Sequence, residues 1–149
     1  MKLKTYVAMV NPRFEIPITE TLSAIEAGNP LPEVYKRHTI RANYAFWEKR
    51  INAINRGEGV LSIRVWEGKP YRSKQREIAR LEKVGIQKLH FVNFMGAYYN
   101  FTIEDLEKQT TEIDFAKNDG FSNFDDMLAW FHDYPSGDMA IIHFTSFRY

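Results

Sequence analysis

The pattern of apolar and polar residues predicts two paired strands in the middle of the chain. Val60–Trp66 alternates apolar and polar positions with a period of two, which is typical of a strand with one buried face. Glu67–Pro70 has the composition of a turn, and Tyr71–Lys83 predicts a second, longer strand that returns beside the first. Three basic residues would then share one face of this second strand: Arg72, Lys74 and Arg76.

Three other segments have the periodicity of short helices. Ile18–Ala27 carries apolar residues at helical spacing and ends at a Gly-Asn-Pro sequence, and Ala42–Asn55 is amphipathic. The third helix begins at Ser122, which we expect to cap it because acidic residues occupy the first turn. Trp47 and Trp130 fall on the apolar stripes of these helices, so both are predicted to be core residues.

The remaining apolar runs predict further strands. They lie at the N-terminus, in Gln87–Phe94, in Tyr98–Ile103 and in Met139–Phe147. Strands joined by short helices, without repeated βαβ units, predict an α+β fold, which we expect to be a mixed β-barrel of about five to seven strands decorated by short helices. Five apolar residues of these strands are expected in its core: Leu61, Ile63, Val65, Ile141 and Phe144.

Length and composition favour one domain covering residues 1–149. A chain of 149 residues that is 44% hydrophobic has enough apolar surface for one core. The sequence contains no cysteine, which excludes disulfides, thiolate metal sites and a cysteine nucleophile and indicates a reducing compartment, expected to be the cytoplasm. Asn11 and Pro12 interrupt the first apolar run before it could form a signal segment or a membrane span, so we expect no membrane partner.

The net charge is +1, but the charges are distributed unevenly along the chain. Residues 36–83 contain thirteen Lys or Arg and five Glu, whereas residues 100–149 contain three basic and ten acidic residues. A central basic block suits phosphate contacts, and the acidic C-terminal third would face away from a polyanion or line a pocket. A solvated surface of mixed charge explains the same distribution.

Motifs for several common chemistries are absent from the sequence. The four histidines have neither metal-ligand spacing nor a His-x-x-x-His pair, so we expect no metal site. These histidines are His38, His90, His132 and His143. Dinucleotide-binding, P-loop and Gly-x-Ser-x-Gly motifs are also missing, so P-loop nucleotide hydrolysis and the common serine hydrolases have no support, and no cofactor is expected.

The predicted hairpin combines cations with aromatic rings. The residues that its turn would bring side by side are Arg64, Trp66, Tyr71, Arg72 and Lys74. Stacking on an aromatic ring contributes about 1–3 kcal/mol per base, and arginine contacts phosphates or bases, so this cluster predicts binding of single-stranded nucleic acid or a flipped base. The alternative is ordinary cross-strand packing with arginine stems lying over the rings.

A second cluster lies in Lys36–Arg41, with the sequence Lys-Arg-His-Thr-Ile-Arg. A charged strand edge that resists aggregation would have the same composition. The run resembles the Lys-x-x-Thr-x-Arg signature of ASCH domains, and the similarity continues through Val60–Leu81, Asp119–Phe131 and the final strand, from about Ile18 onward. ASCH domains are related to the RNA-binding PUA fold. The resemblance therefore implies a PUA-like β-barrel with a cleft for RNA or a modified nucleoside.

One branch of the ASCH family is an amidohydrolase that acts on acetylcytidine with a lysine, a threonine and a glutamate. By resemblance, Lys36 and Thr39 match the first two, and the acidic position falls on Asp119, whose side chain is one methylene shorter than glutamate. In such a trio the lysine takes the threonine proton, the hydroxyl attacks the acyl carbon, and the carboxylate orients the lysine or the amide. Arg41 would steady an oxyanion or the ligand.

Three functions stay open at this stage. The first is a domain that binds RNA or a modified nucleoside in a cleft beside the barrel. The second is a small amidohydrolase that deacylates acetylcytidine-type nucleosides, and the third is a protein-interaction module that uses the basic hairpin. RNA binding should weaken steeply with salt because counterions are released, whereas nucleoside turnover should not, and a protein partner would survive nuclease treatment. The sequence does not indicate an oligomeric state.

Overall fold

The computed structural model describes residues 2–94, 98–104, 110–131 and 137–149. Within these residues the strands are β1 (Lys4–Met9), β2 (His38–Ala42), β3 (Gly59–Trp66), β4 (Gln75–Leu81), β5 (Gly85–Phe94), β6 (Tyr98–Ile103) and β7 (Gly137–His143). The α-helices are α1 (Glu15–Ala27), α2 (Tyr44–Asn55), α3 (Glu112–Asn118) and α4 (Phe124–Trp130). In the part of the chain that is described, no helix has the length and apolar character needed to cross a membrane.

The seven strands form two sheets. In the first, β3 lies between β1, to which it is parallel, and β4, to which it is antiparallel. The second sheet has the order β2-β7-β5-β6 and is antiparallel throughout. The predicted α+β class is therefore confirmed. The described strands do not close into one barrel, because no strand ladder among them joins the two sheets.

The alternation in β3 places the predicted residues in the core. All five residues expected there are buried, which confirms this part of the prediction: Leu61, Ile63, Val65, Ile141 and Phe144. Trp47 of α2 is also buried, as predicted. Trp130 is 39% exposed, so its assignment to the core was wrong. It is the last residue of α4, where its ring contacts Phe14 and Phe121 edge to face and one side stays open.

The connection between β3 and β4 is longer than the sequence predicted. Strand β4 begins at Gln75, so Tyr71–Lys74 belongs to the loop. The hydroxyl of Ser73 organises this loop through hydrogen bonds of 2.9 Å to two backbone groups. Tyr71 adopts a φ of +63°, a left-handed conformation that does not continue a strand. The predicted face of three basic residues was therefore wrong, because Arg76 alone of the three lies in β4.

The helix boundaries show where local signals were misread. Helix α1 begins at Glu15, earlier than predicted, because a 3₁₀ turn containing a proline leads directly into it. The side chain of Asn123 caps α4, one residue after the predicted cap Ser122. Helix α3 was not predicted, although Thr111 caps it and acidic residues fill its first turn. This omission matters because α3 carries part of the site described below.

Candidate functional site

Two segments that are far apart in the sequence meet at one site. Lys36 ends the connector before β2, Thr39 lies in β2, and Asp119 directly follows α3. The backbone joins the segments, since the Arg37 N–H donates to the Asn118 carbonyl at 2.7 Å. Strand β2 is itself held by its antiparallel pairing with β7. The positions of these side chains are therefore set by regular structure on both sides.

Lys36 and Asp119 form a buried ion pair. The Lys36 Nζ atom lies 2.9 Å from Asp119 Oδ1 and donates a second hydrogen bond of 2.6 Å to the Asp119 carbonyl. Both side chains are only 3% exposed. The ammonium also lies 4.3 Å from the centroid of the Phe14 ring, within the range of a cation–π contact. Burial of charges requires this degree of pairing, so each member depends on the other.

Gly120 allows the chain to pass close to this pair. Its φ is +90°, a conformation that glycine adopts without steric cost. A Cβ atom at this position would lie 3.0 Å from the Phe14 ring and 3.3 Å from Lys36 Cδ. The absence of a side chain therefore lets the aromatic ring and the lysine stem pack directly against the turn that presents Asp119.

A chain of hydrogen bonds continues from Asp119 into the interior. His38 Nδ1 lies 3.1 Å from Asp119 Oδ1, and His38 Nε2 lies 2.6 Å from the Tyr149 hydroxyl. The Asn118 side-chain amide donates to the same hydroxyl at 3.1 Å. His38 is fully buried. The ion pair therefore has a polar network behind it.

The electrostatics of these groups follow from burial and proximity. Burial lowers the pKa of Lys36 more than the Asp119 charge raises it, and Arg41 and Arg13 lower this pKa further. Burial alone would raise the pKa of Asp119, but the Lys36 charge and the His38 hydrogen bond outweigh it and hold this pKa below its ordinary value. Burial also lowers the pKa of His38, so the imidazole is neutral at pH 7.

The ion pair borders a pocket with a volume of about 110 Å³. About 10–15 Å³ is enough for one water, so the pocket has room for a larger group. Thr39 and Arg41 line it together with Lys36, Asp119 and Trp130. The Thr39 hydroxyl and Asp119 Oδ2 have no hydrogen bond to any other residue in the described parts of the chain. The pocket thus contains a hydroxyl and a carboxylate oxygen that are available to a ligand.

The aromatic side of the pocket is formed by residues that the sequence analysis did not select. Phe14, Phe121 and Trp130 line it, and the guanidinium of Arg13 lies 4.9 Å from the Phe14 centroid and 5.8 Å from that of Trp130. Phe14 follows the first strand by only a few residues, and α4 supplies Trp130. The site therefore combines a cationic, an acidic and an aromatic wall.

The predicted site residues fall into two groups in the structure. Lys36, Thr39, Arg41 and Asp119 line the pocket. The hairpin residues do not line it: Arg64, Trp66, Tyr71, Arg72 and Lys74. The two groups are neighbours through the first sheet, because Met9, which lines the pocket, pairs with Arg64 in the ladder between β1 and β3.

The hairpin group is only partly assembled. The rings of Trp66 and Tyr71 are in contact, with centroids 5.2 Å apart, and Tyr71 is 89% exposed. The Arg64 guanidinium instead bonds to the Ser62 hydroxyl at 2.9 Å and to Gln75 Oε1 at 3.1 Å. Arg72 and Lys74 are exposed in the loop.

The most important residues missed by the sequence analysis are His38 and Tyr149. His38 was considered only as a metal ligand, and Tyr149 was not considered. One signal was available, since His38 alternates with Lys36 along an extended segment and would therefore point to the same side. Nothing in the sequence links Tyr149 to His38, because they are 111 positions apart.

Within the described residues, no group of three or more His, Asp or Glu side chains is placed to hold a metal ion. Comparison with protein-family models, curated proteins and solved structures found no match to this chain. The resemblance to ASCH domains therefore stays a prediction from the sequence.

Proposed function

We propose that this domain binds a nucleobase, carried by RNA or by a modified nucleoside, in the pocket beside Lys36 and Asp119. The observation that carries the proposal is the composition of this pocket. It places the unbonded Thr39 hydroxyl and Asp119 Oδ2 opposite an exposed face of Trp130. Nucleobases are recognised by hydrogen bonds to their edges and by stacking on aromatic rings.

The charges of the pocket support a ligand with both donors and acceptors. The Asp119 carboxylate accepts from an exocyclic amine, as acidic side chains do with cytosine. Arg41 and Arg13 lie near enough to influence the pKa of Lys36, so cations are available for a carbonyl or phosphate oxygen. Stacking on Trp130 would contribute about 1–3 kcal/mol. A purely apolar ligand would leave these polar groups unpaired at a cost.

The hairpin supports an extension of the ligand beyond one base. Exposed Arg72 and Lys74 lie in the same loop as the Trp66–Tyr71 ring pair. A cationic loop with an open ring suits a single-stranded backbone leaving the pocket. The ASCH resemblance agrees with this proposal, and a PUA-like arrangement of the two sheets is part of it.

We expect cytidine and a short single-stranded RNA to bind, and Thr39→Val to weaken both. Loss of one hydrogen bond of about 1 kcal/mol corresponds to roughly a fivefold loss of affinity. Titration calorimetry measures the change, with Thr102→Val on exposed strand β6 as the matched control. Wild-type protein that binds neither ligand would contradict the proposal.

The same titrations separate the two ligand classes. For RNA, the double change Arg72→Ala and Lys74→Ala should flatten the dependence of log affinity on log salt by about two units, one for each lost phosphate contact. Cytidine affinity should stay unchanged in this variant, because neither residue lines the pocket. An unchanged slope for RNA would remove the hairpin from the binding surface.

A second candidate function is hydrolysis of an acetylcytidine-type amide. The observation that favours it is a buried lysine of lowered pKa beside a carboxylate and an unbonded threonine hydroxyl. The Lys36 amine would take the Thr39 proton, and the oxygen would attack the acyl carbon. The C–N bond then breaks, the amine leaves with that proton, and water hydrolyses the acyl-threonine ester to acetate.

Acetate release from acetylcytidine tests this second function. If it operates, Thr39→Ala should abolish release without changing the folded spectrum, because no other nucleophile replaces the hydroxyl. Asp119→Glu should raise the rate, because its longer side chain restores the reach of the glutamate in the resembling family. Wild-type protein without turnover, combined with measurable cytidine binding, would leave the binding function and exclude hydrolysis of this substrate.

A further inference from the structure

The polar network behind the ion pair has a direction that can be deduced from its donors. The Asn118 side-chain nitrogen carries only donor hydrogens, and it lies 3.1 Å from the Tyr149 oxygen. The Tyr149 hydroxyl is therefore an acceptor toward Asn118 and has its own proton available for His38 Nε2, 2.6 Å away. With Nε2 as an acceptor, the neutral imidazole carries its proton on Nδ1 and donates to Asp119 Oδ1.

The reverse arrangement is much less favourable. If the Asn118 amide were turned so that its oxygen faced Tyr149, the hydroxyl would donate to that oxygen and Nε2 would have to donate to Tyr149. Asp119, as a carboxylate, can only accept from Nδ1. Both ring nitrogens would then carry protons, which places an imidazolium in a fully buried position. The hydrogen bonds thus support one proton arrangement, from Asn118 through to the carboxylate.

We propose that Tyr149 and Asn118 set the tautomer of His38 and, through His38, position the Asp119 carboxylate and the Lys36 ammonium in the pocket. Tyr149 and His38 are positioning residues, since neither lines the pocket. The Nδ1 proton and the Lys36 ammonium both bond to Oδ1, which leaves Oδ2 for a ligand. The consequence for ligand binding rests on the proposed function, whereas the proton arrangement does not.

Nitrogen-15 NMR of the histidine rings tests the arrangement without a ligand. In the wild-type protein at pH 7, His38 should show a protonated Nδ1 and an unprotonated, hydrogen-bonded Nε2. The His38→Gln spectrum assigns its signals among the four histidines. A protonated Nε2 in the wild-type protein overturns the proposal, and this measurement does not depend on any variant being stable.

Tyr149→Phe tests whether the hydroxyl sets the tautomer. This change removes the donor to Nε2, so we expect a population with the proton on Nε2. That tautomer presents a lone pair to Asp119, and the pKa of the Asp119 carboxyl, followed by carbon-13 NMR, should rise. Tyr6→Phe, at a half-buried tyrosine in β1, is the matched control and should change neither signal. An unchanged His38 tautomer and Asp119 pKa in Tyr149→Phe would overturn the positioning role.

Cytidine affinity separates this inference from the proposed function. If the wild type binds cytidine, Tyr149→Phe should weaken binding by about tenfold, because the carboxylate loses its fixed orientation. Unchanged affinity together with a changed tautomer would overturn the positioning role. If the wild type binds no nucleoside, the proposed function fails, and the NMR results alone support or overturn the arrangement of protons.

Discussion

Replacing Lys36 with methionine should lower the free energy of unfolding by about 3–5 kcal/mol, because removal of one partner of a buried pair leaves the other charge uncompensated. Asp119 would retain one neighbouring donor, His38, in a site that is 3% exposed. Methionine has nearly the length of lysine and fills the same space beside Phe14. The loss therefore reports the stranded carboxylate rather than a cavity.

Urea unfolding of matched variants measures this effect. Lys88→Met is the control, because the Lys88 ammonium lies 3.9 Å from an exposed Glu104 carboxylate, and such surface pairs contribute at most about 1 kcal/mol. The double variant Lys36→Met and Asp119→Asn should be more stable than Lys36→Met alone, since the amide keeps an acceptor for His38 without a charge. A single variant that loses no more than the surface control would contradict the assignment of a buried ion pair.

Lowering the pH from 7 to 5 should destabilise the protein by about 2 kcal/mol through His143 alone. Burial lowers the pKa of His143 from 6.5 to about 2, with smaller contributions from His38 and Arg148. In this interval the unfolded chain binds a proton at this residue and the folded protein does not. Stability from a lowered histidine pKa is therefore present above pH 6.5 and is lost as the pH falls below it.

The neighbouring titratable groups determine the rest of the pH profile. Burial also lowers the pKa of His38, whose ring centroid is 5.5 Å from that of His143, so its contribution has the same sign. The pKa of Asp119 is held below its ordinary value of 3.8, so its contribution is lost at lower pH. The Tyr149 hydroxyl, whose pKa is raised by burial, stays protonated throughout this range.

Urea unfolding at pH 7 and pH 5 tests the contribution of His143. His143→Gln should remove its share of the pH dependence, because glutamine does not titrate and can still donate to Gln87, the partner of His143 Nε2. His90→Gln, at an exposed position, is the control and should leave the dependence as it is in the wild type. Equal stability of the wild type at the two pH values would show that the buried histidines accept protons without unfolding.

Local sequence patterns predicted several elements well and failed at others for identifiable reasons. The strict alternation in β3 determined which residues are buried, because a strand has only two faces. The loop before β4 was mistaken for strand, because its hydrogen bonds depend on the Ser73 side chain rather than on apolar periodicity. Helix α3 was missed because its seven residues are too few to establish a helical period.

The candidate site was predicted only in part. The run that includes Lys36, Thr39 and Arg41 was selected from its resemblance to a family signature, and all three residues line the pocket with Asp119. Trp130 was assigned to the core because its spacing matches an apolar stripe, and spacing does not reveal that a helix ends at the mouth of a pocket. The catalytic and ligand-binding roles of these residues stay predictions.

The sequence by itself determined the α+β class, the buried face of β3 and the set of residues with suitable chemistry, because these depend on neighbours within a few positions. The tertiary structure decided which of those residues meet. Lys36 and Asp119 are 83 positions apart, and His38 and Tyr149 are 111 apart. Their contacts arise from the pairing of β2 with β7 and from the packing of α3, and side-chain periodicity along the chain carries no information about such pairings.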